Sequence, residues 1–383
     1  MRAIRGWLRD IRRWCPRVRH GEPQTDQHET SRAMRPGSAR YEPWMKIRAS
    51  AQALTAADGS SANAGRPLWM GWEKDVTNKA AQGRVAVVGS LNMDLVARAP
   101  RLPRPGETLA GHAFAQVAGG KGGNQAVAAA RLGAQVAMLG CVGADTNGAQ
   151  LRAGLEAEGI DCAALDTSPT APTGVALIVV DDGSQNAIVI VAGSNGEVTP
   201  ASIARHEAVL AAADVVICQL ETPNATVEAA LATARRLGKT TILNPAPATG
   251  PLPSAWFSLI DYLIPNELEA ATLSGLPVAS AADAAIAAAA LRDAGARNVI
   301  VTLGAQGVYV ALERGEAVHY PAPRVDAIDT TGAGDTFIGG FAAQLAGGAP
   351  VDDAIRFAQR AAAISVTRAG AQPSIPTRAE LDA

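Results

Sequence analysis

Cysteine and aromatic residues are scarce in this sequence of 383 residues. The four cysteines, Cys15, Cys141, Cys162 and Cys218, form no Cys-x-x-Cys pair, and aromatic residues make up 4% of the chain. Three of the cysteines lie in or near apolar runs, which indicates buried, reduced thiols in a cytoplasmic protein. No apolar run reaches the roughly 18 residues of a membrane-spanning helix, so we expect no membrane partner.

Positive charge is also scarce over most of the chain, although the net charge is only -2. Residues 1–83 contain 15 Lys and Arg against 8 Asp and Glu, whereas the remaining 300 residues contain 19 against 28. The acidic excess of this longer part argues against nucleic acid as a partner. The chain is 48% hydrophobic, which is enough for a sizeable core.

Residues 1–83 have the composition of a basic leader that is disordered or not native. Their Gly, Pro, Ser and Arg residues follow no sustained period, so the segment buries too little apolar surface to offset its ordering entropy. An early start codon would account for it, with Met45 and Met70 as later starts. The alternative is a targeting or membrane-surface helix. Four apolar residues support that alternative by their helical spacing: Ile4, Trp7, Leu8 and Ile11.

From Arg84 onward, predicted strands alternate with predicted helices. Apolar, β-branched runs such as 84–96 and 298–304 are separated by helical segments such as 280–294 and 351–370. This order predicts an α/β fold over residues 84–383, with a mostly parallel sheet flanked by helices on both faces. Ligands of such sheets bind beyond the carboxyl ends of the strands.

Two stretches, 106–118 and 160–192, interrupt this alternation. Both are rich in strand-forming residues and contain turns such as Asp182-Gly183. They predict a small antiparallel flap inserted in the α/β body. A flap over the carboxyl ends of the main strands would act as a lid that excludes water from the site.

The stretch "DTTGAGDTF", Asp329–Phe337, has almost no side chains between two aspartates. Gly332, Ala333 and Gly334 precede a helix that begins near Asp335, so their N–H groups and the helix dipole would form an anion hole. Such a hole suits a transferring phosphoryl group. Asp335 would then accept the proton of an attacking hydroxyl. The alternative is a plain loop before a helix that Asp335 helps to cap.

Polar residues that suit a sugar lie earlier in the chain. Asn92 and Asp94 are two positions apart, so in an extended chain they face the same side and could bind sugar hydroxyls together. The stretch "GGKGGNQA", Gly119–Ala126, opens a helix, and its glycines allow close approach of a ligand. It is not a Walker A loop, because Gly122 follows Lys121.

Two later stretches suit a nucleotide and its metal. Asn266 and Glu269 lie on one face of the first turn of a predicted helix. Glu269 could reach Mg²⁺ through water, since Mg²⁺ keeps much of its hydration shell. The stretch "TLGAQG", Thr302–Gly307, follows a strand with small residues that could accommodate adenine or ribose.

Together these motifs strongly resemble the ribokinase family of carbohydrate kinases, the PfkB group. The resemblance covers residues 84–380 and includes both family motifs, the Gly-Gly motif around Gly119–Asn124 and the DTxGAGD motif at Asp329–Asp335. It implies a kinase that uses ATP and Mg²⁺ to phosphorylate D-ribose at the 5-hydroxyl. It further implies K⁺ as an activating monovalent cation, and a homodimer.

The resemblance also implies roles for individual residues. Asp335 matches the general base, and Gly332, Ala333 and Gly334 match the anion hole. Sugar-contacting positions are matched by Asn92, Asp94, Gly119, Gly120, Lys121, Asn124, Glu221 and Asp335. Nucleotide-contacting positions are matched by Asn266, Thr302, Leu303, Gly304, Ala305, Gln306, Gly307, Gly334 and Gln359. Glu269 matches the residue linked to Mg²⁺ and phosphate. The monovalent-cation loop is matched by Asp329, Thr331, Ser365, Arg368, Gly370 and Ser374.

Departures from the family pattern are small. Gly123 stands where Ala is frequent, and Gln359 stands where Asn or His is usual. Asp329 could also form a plain salt bridge with Arg368 instead of helping to bind a cation.

Two alternative functions stay open at this point. One is another kinase of the family, acting on deoxyribose, fructose or a nucleoside. A nucleoside kinase would need an aromatic side chain to stack on the second base, and the expected lid offers only Phe114. The other alternative is a catalytically inactive sugar sensor, against which the retention of Asp335 and its anion hole argues.

Overall fold

The computed structural model describes residues 83–183 and 185–382. The predicted leader therefore lies outside the described residues, except for its last position. Gly83 packs as part of the body, because its carbonyl accepts the N–H of Gln135 at 2.9 Å. A Cβ atom on Gly83 would collide with the backbone of Ala346.

Strands and helices alternate along most of the described chain. The strands are β1 Arg84–Val88, β2 Asn92–Ala99, β3 Ala113–Gly119, β4 Gln135–Gly143, β5 Leu165–Ser168, β6 Gly174–Asp181, β7 Asn186–Val191, β8 Val215–Cys218, β9 Thr240–Leu243, β10 Tyr262–Leu263, β11 Asn298–Thr302, β12 Val308–Ala311 and β13 Val318–Tyr320. The helices are α1 Lys121–Arg131, α2 Thr146–Ala157, α3 Pro200–Arg205, α4 Glu207–Ala212, α5 Asn224–Arg236, α6 Glu267–Ser274, α7 Ala281–Asp293, α8 Ala333–Ala346, α9 Val351–Ser365 and α10 Arg378–Asp382.

The main sheet confirms the predicted α/β architecture. Its strand order is β13-β12-β11-β10-β9-β8-β1-β4-β5, and all neighbouring strands are parallel except that β12 is antiparallel to both β11 and β13. Side chains of β1 alternate between two cores, as the period of a strand requires. Val85 and Val87 pack with α1, α2, α8 and α9 on one face. Ala86 and Val88 pack with α5, α6 and α7 on the other.

The second sheet is smaller, with the order β3-β2-β6-β7. It corrects three details of the expected flap. The predicted strand 84–96 is two strands, and β2 belongs to the small sheet. Leu165–Ser168, expected in the flap, pairs with β4 in the main sheet. The small sheet is also mixed, since β2 and β6 are parallel. The apolar run is nearly continuous through residues 84–96, so only Gly89 and Ser90 mark the point where the chain changes sheets.

Helix bounds follow their capping residues. Ser280 caps the predicted long Ala-rich helix by accepting the N–H of Asp283 at 3.2 Å, and α7 matches the prediction to within a residue. The last predicted helix, 351–370, ends early, at Ser365. There the carbonyl of Val366 accepts the N–H of Ile328 at 2.7 Å. The described residues contain no helix long and apolar enough to cross a membrane.

The described cysteines behave as predicted. Cys141, Cys162 and Cys218 are buried and free. Burial raises the pKa of the Cys162 thiol to about 11 and that of Cys218 to about 12, so both stay protonated and unreactive near neutral pH.

Candidate active site

Asp335 lies in the first turn of α8 and is almost buried, with 8% of its surface exposed. Both oxygens of its carboxylate accept an amide hydrogen bond from α1. Asn124 Nδ2 donates to Oδ2 and Gln125 Nε2 donates to Oδ1, each at 2.9 Å. The carboxylate is therefore held in one orientation at the carboxyl edge of the main sheet.

A close crossing of α1 and α8 makes these bonds possible. Gly339 of α8 lies against α1, where an added Cβ would be 2.7 Å from the backbone nitrogen of Ala129 and from the carbonyl oxygen of Gln125. A side chain at this position would push the helices apart. Gly339 therefore allows the close approach of α1 and α8 that brings Asp335 within hydrogen-bond distance of α1. The conformation of α8 itself does not require a glycine here.

The N-terminus of α8 presents backbone donors next to Asp335. Gly332 caps the helix with a left-handed backbone (φ 75°) and no side-chain cap. The N–H of Ala333, a predicted part of the anion hole, donates to the carbonyl of Thr330 at 3.2 Å. Gly334 and Asp335 lie in the first turn, where a helix supplies no backbone acceptor. A Cβ on Gly334 would meet no atom within 4 Å, so this glycine leaves open space.

The N-terminus of α1 differs, because side chains already occupy it. Glu221 accepts the N–H of Lys121 at 3.1 Å and also the hydroxyl hydrogen of Ser90. Ser90 Oγ in turn accepts the N–H of Gly122 at 3.3 Å. Ser90 was not among the predicted residues. It carries no motif of its own, and only the fold brings it to the start of α1.

The predicted sugar-contacting charges lie close enough to Asp335 and to one another to shift the pKa values of Asp94 and Lys121. Burial, together with the negative charges of the nearby Glu221 and Asp335 carboxylates, raises the pKa of Asp94 to about 7. Burial alone would lower the pKa of Lys121, but Asp335, Glu221 and Glu269 together raise it. A neutral, polar molecule with several hydroxyls fits this environment better than an anion does.

Asn92 is held by a residue that the sequence analysis missed. Asn195 Nδ2 donates to Asn92 Oδ1 at 2.8 Å, and the same side chain accepts the N–H of Leu91 at 2.8 Å. The amide of Asn92 therefore has its Nδ2 left to donate to a ligand. Gly120, at φ 84°, passes so close that a Cβ would lie 2.7 Å from the backbone nitrogen of Asn92.

The predicted nucleotide residues lie at the ends of β10 and β11. Asn266 and Glu269 form a capping box at the start of α6, where Glu269 Oε2 accepts the N–H of Asn266 at 2.9 Å. Burial raises the pKa of Glu269, and the hydrogen bond from Asn266 opposes this rise. Thr302 forms an isolated β-bridge with Asn266, so the two motifs are adjacent.

The turn at Leu303–Gly307 offers mainly backbone to a ligand. The side chain of Leu303 is buried in the core, and Gly304 and Gly307 have positive φ angles. Gln359 is buried and donates its Nε2 to the carbonyl of Tyr320 at 3.0 Å. Its amide nitrogen is therefore engaged within the protein, and only Oε1 remains for adenine.

One cleft is lined by residues from these elements. It is lined by Lys121, Asn244, Ile264, Asn266, Glu269, Thr302, Gly332, Gly334, Asp335 and Ile338. Seven of these are predicted site residues. The sequence analysis missed Asn244, Ile264 and Ile338. Asn244 directly follows β9, and the rule that ligands bind beyond the carboxyl ends of parallel strands would have found it.

The two halves of the predicted cation loop meet. Asp329 Oδ2 accepts the N–H of Gly370 at 2.8 Å, and Oδ1 accepts the N–H of Thr331 at 2.9 Å. Ser365 and Ser374, which flank Gly370 in the chain, are buried. Their hydroxyls donate to the carbonyls of Ala362 and Ala371, respectively. Arg368 pairs with Glu380 at 2.6 Å, so the alternative salt bridge with Asp329 is wrong.

Comparison with known proteins agrees with this arrangement. The model of the pfkB family carbohydrate kinases matches residues 82–378. The chain belongs to this family. Within the family, the chain is 46% identical over 296 residues to a ribokinase of Haemophilus influenzae, covering 77% of this chain and 96% of the relative.

Two further known proteins are similar to this chain over most of their length. A deoxyribokinase of Salmonella typhi is 40% identical over 293 residues, covering 76% of this chain and 95% of the relative. The structure of Arabidopsis thaliana ribokinase complexed with ribose and ATP aligns with a TM-score of 0.74 at 31% identity, covering 78% of this chain and 97% of that one.

Proposed function

We propose that this protein transfers the terminal phosphoryl group of ATP to the 5-hydroxyl of D-ribose. The observation that carries the proposal is the place of Asp335. Its buried carboxylate lies in the first turn of α8, near the charges of Asp94 and Glu221, and lines the same cleft as Asn266 and Thr302. The similarity to a ribokinase at 46% identity supports ribose as the sugar.

The residues divide the reaction between them. Asp335 takes the proton of the sugar 5-hydroxyl as that oxygen forms its bond to the γ-phosphorus. The bond between this phosphorus and the β,γ-bridging oxygen breaks, and ADP leaves. The free N–H groups of Gly334 and Asp335, with the ammonium of Lys121, stabilise the negative charge on the transferring group.

The proposed metal, Mg²⁺, would be held mainly by the ATP phosphates and water. Among the described residues no group of three or more His, Cys, Asp or Glu side chains converges on one point. Glu269 is the carboxylate of the cleft that fits an outer, water-mediated contact, because its own oxygens already accept bonds from Asn266. When bound, Mg²⁺ neutralises charge on the phosphates.

We further propose that K⁺ binds the loop pair formed by residues 329–331 and 365–374. Asp329 ties this pair together, and Gly332 at the start of the anion hole packs against Ala371. Oxygens of the two segments would supply ligands for a hard cation. The cation would hold the bare backbone around Gly334 in place before ATP binds.

The small sheet is proposed as the lid and as the surface of a homodimer. It carries several large apolar side chains that are exposed in the single chain, as surfaces that bind another protein often do. They are Phe114, Leu177, Ile188, Val189, Ile190 and Val191. A second copy of this sheet would cover them and close its exposed edges. Residues 1–83 are proposed to contribute nothing to the site.

A sugar panel tests the proposed function. With ATP and Mg²⁺, phosphorylation of D-ribose should have the highest kcat/KM, and 5-deoxyribose should give no product, because it lacks the accepting hydroxyl. A nucleoside such as adenosine should react poorly, because Phe114 is the lone aromatic residue of the small sheet in the described chain. The second candidate, 2-deoxyribose, is favoured by the similarity to a deoxyribokinase. A higher kcat/KM for 2-deoxyribose than for ribose would make 2-deoxyribose, and not ribose, the preferred substrate.

A further inference from the structure

A chain of buried amide side chains leads to Asp335 from the carboxyl edge of the main sheet. Gln125 Nε2 donates to Asp335 Oδ1 at 2.9 Å and to Asn244 Oδ1 at 3.2 Å. Gln125 Oε1 accepts from Gln219 Nε2 at 2.7 Å. Gln219 directly follows β8 and Asn244 directly follows β9. Gln125 and Gln219 have no exposed surface, so neither side chain can touch a substrate.

The backbone sets the direction of this chain of hydrogen bonds. Asn244 Nδ2 donates to the carbonyl of Ile264 at 3.0 Å, and a carbonyl oxygen only accepts. Asn244 must therefore turn Oδ1 toward Gln125. The ionised carboxylate of Asp335 also only accepts. A flipped Gln125 amide would face two acceptors with its oxygen, so its observed orientation is the one that both neighbours require.

This orientation of Gln125 leaves one buried oxygen atom of Gln219 without a hydrogen bond. Gln219 must turn Nε2 toward Gln125, and its Oε1 is then buried with no hydrogen-bond partner among the described residues. Unsatisfied buried polar atoms are rare in folded proteins and often mark functional sites. The arrangement satisfies Gln125 and Asp335 at the expense of Gln219.

We propose that Gln125 is the positioning residue of Asp335, and that Asn244 and Gln219 fix the direction of its amide. Each oxygen of Asp335 then holds one amide donor, from Asn124 or Gln125, and keeps a second lone pair for the sugar hydroxyl. This inference rests on the proposed role of Asp335 as the base. It means that the protein orients the Asp335 carboxylate before the substrate binds.

The replacement Gln125→Met tests the proposal, because Met has a similar length and no amide. The kcat for ribose should fall about 10- to 100-fold, since a misplacement of about 1 Å can cost about 10²-fold. The KM values for ribose and ATP should change little. Thr226→Val is the matched control: it removes a buried hydroxyl that donates to the carbonyl of Val198 and not to Gln125 or Asp335, and it should leave kcat unchanged.

A double-mutant cycle separates positioning from a structural role. In an Asp335→Asn background, adding Gln125→Met should lower kcat no further, because the group that it aims is already gone. An equal fold-loss in both backgrounds would overturn the proposal. So would a wild-type kcat for Gln125→Met when Asp335→Asn is severely impaired. Near-wild-type turnover of Asp335→Asn would instead overturn the proposed function itself.

If Gln125→Met fails to fold, Gln219→Met takes its place. Gln219 acts on Asp335 only through Gln125, so kcat should fall by a smaller factor with unchanged KM values. The fall should again vanish in the Asp335→Asn background. An unchanged kcat for a folded Gln219→Met, or a rise in KM without a fall in kcat, would contradict the proposed chain.

Discussion

The carboxylate of Glu221 accepts the backbone N–H of Lys121 at 3.1 Å, so an anion of the protein itself occupies the N-terminus of α1. Both α1 and α8 have a glycine as N-cap residue, and residues at both N-termini line the cleft. Only α8 keeps open donors there. We therefore propose that the two glycine-rich motifs have different tasks: the first would hold a side-chain carboxylate for the sugar, and the second would be free to bind phosphate.

Ser90→Ala tests the first of these tasks. The hydroxyl of Ser90 links Gly122 to Glu221, so its loss leaves a buried N–H without its acceptor. We expect the free energy of unfolding to fall by about 1–3 kcal/mol and the KM for ribose to rise, while the KM for ATP stays constant. Ser280→Ala, which removes the cap of α7, is the control. It should lower stability by about 1 kcal/mol without changing the KM for ribose. Equal KM values in the two variants would contradict this role.

Asp94 should make the stability of the free protein depend on pH. Its pKa rises on folding from 3.8 to about 7, so the folded state holds a proton that the unfolded state has lost. The stabilisation from this group is therefore complete below about pH 4 and is lost as the pH rises to about 7.

Asp94→Asn should remove that dependence. Above pH 7 the variant should be more stable than the wild type, because it no longer buries a charged carboxylate at this position. It should also bind ribose more weakly. Thermal unfolding of both proteins between pH 5.5 and pH 8.5 measures the effect. Parallel curves of Tm against pH would show that Asp94 titrates normally.

The sequence predicted the architecture and the motif residues, but it missed the contacts that orient them. Asn266 and Glu269 were found because their hydrogen bonds lie within one turn of helix. Asn195 was missed because its partner Asn92 lies 103 residues away in the chain. Ser90 was missed because its partner Glu221 lies 131 residues away. Spacing carries no information about such partners. The split of residues 84–96 into two strands was missed for a related reason, since both pieces are apolar.

The cation loop gives a prediction with a built-in control. The pKa of Asp329 lies below its usual value, because hydrogen bonds from Thr331 and Gly370 outweigh the effect of burial. The carboxylate is thus charged and available near neutral pH. Activity should rise several-fold when K⁺ replaces a bulky organic cation at constant ionic strength, and Asp329→Ala should abolish this response.

Arg368→Ala serves as the control for the cation loop. Arg368 pairs with Glu380 and not with Asp329, and the backbone at Arg368 is kept in the variant. Its response to K⁺ should therefore match that of the wild type. Equal wild-type rates with and without K⁺ would remove the cation site and leave the kinase assignment intact.

The central claim is that Asp335 is the base for phosphoryl transfer from ATP to ribose. The most direct measurement is the kcat of Asp335→Asn, a nearly isosteric change, together with direct binding of ribose to the same variant. The account predicts a fall in kcat of roughly 10²–10⁴-fold with little change in ribose affinity, because Asn92 and Asp94 remain. Turnover close to that of the wild type would contradict it.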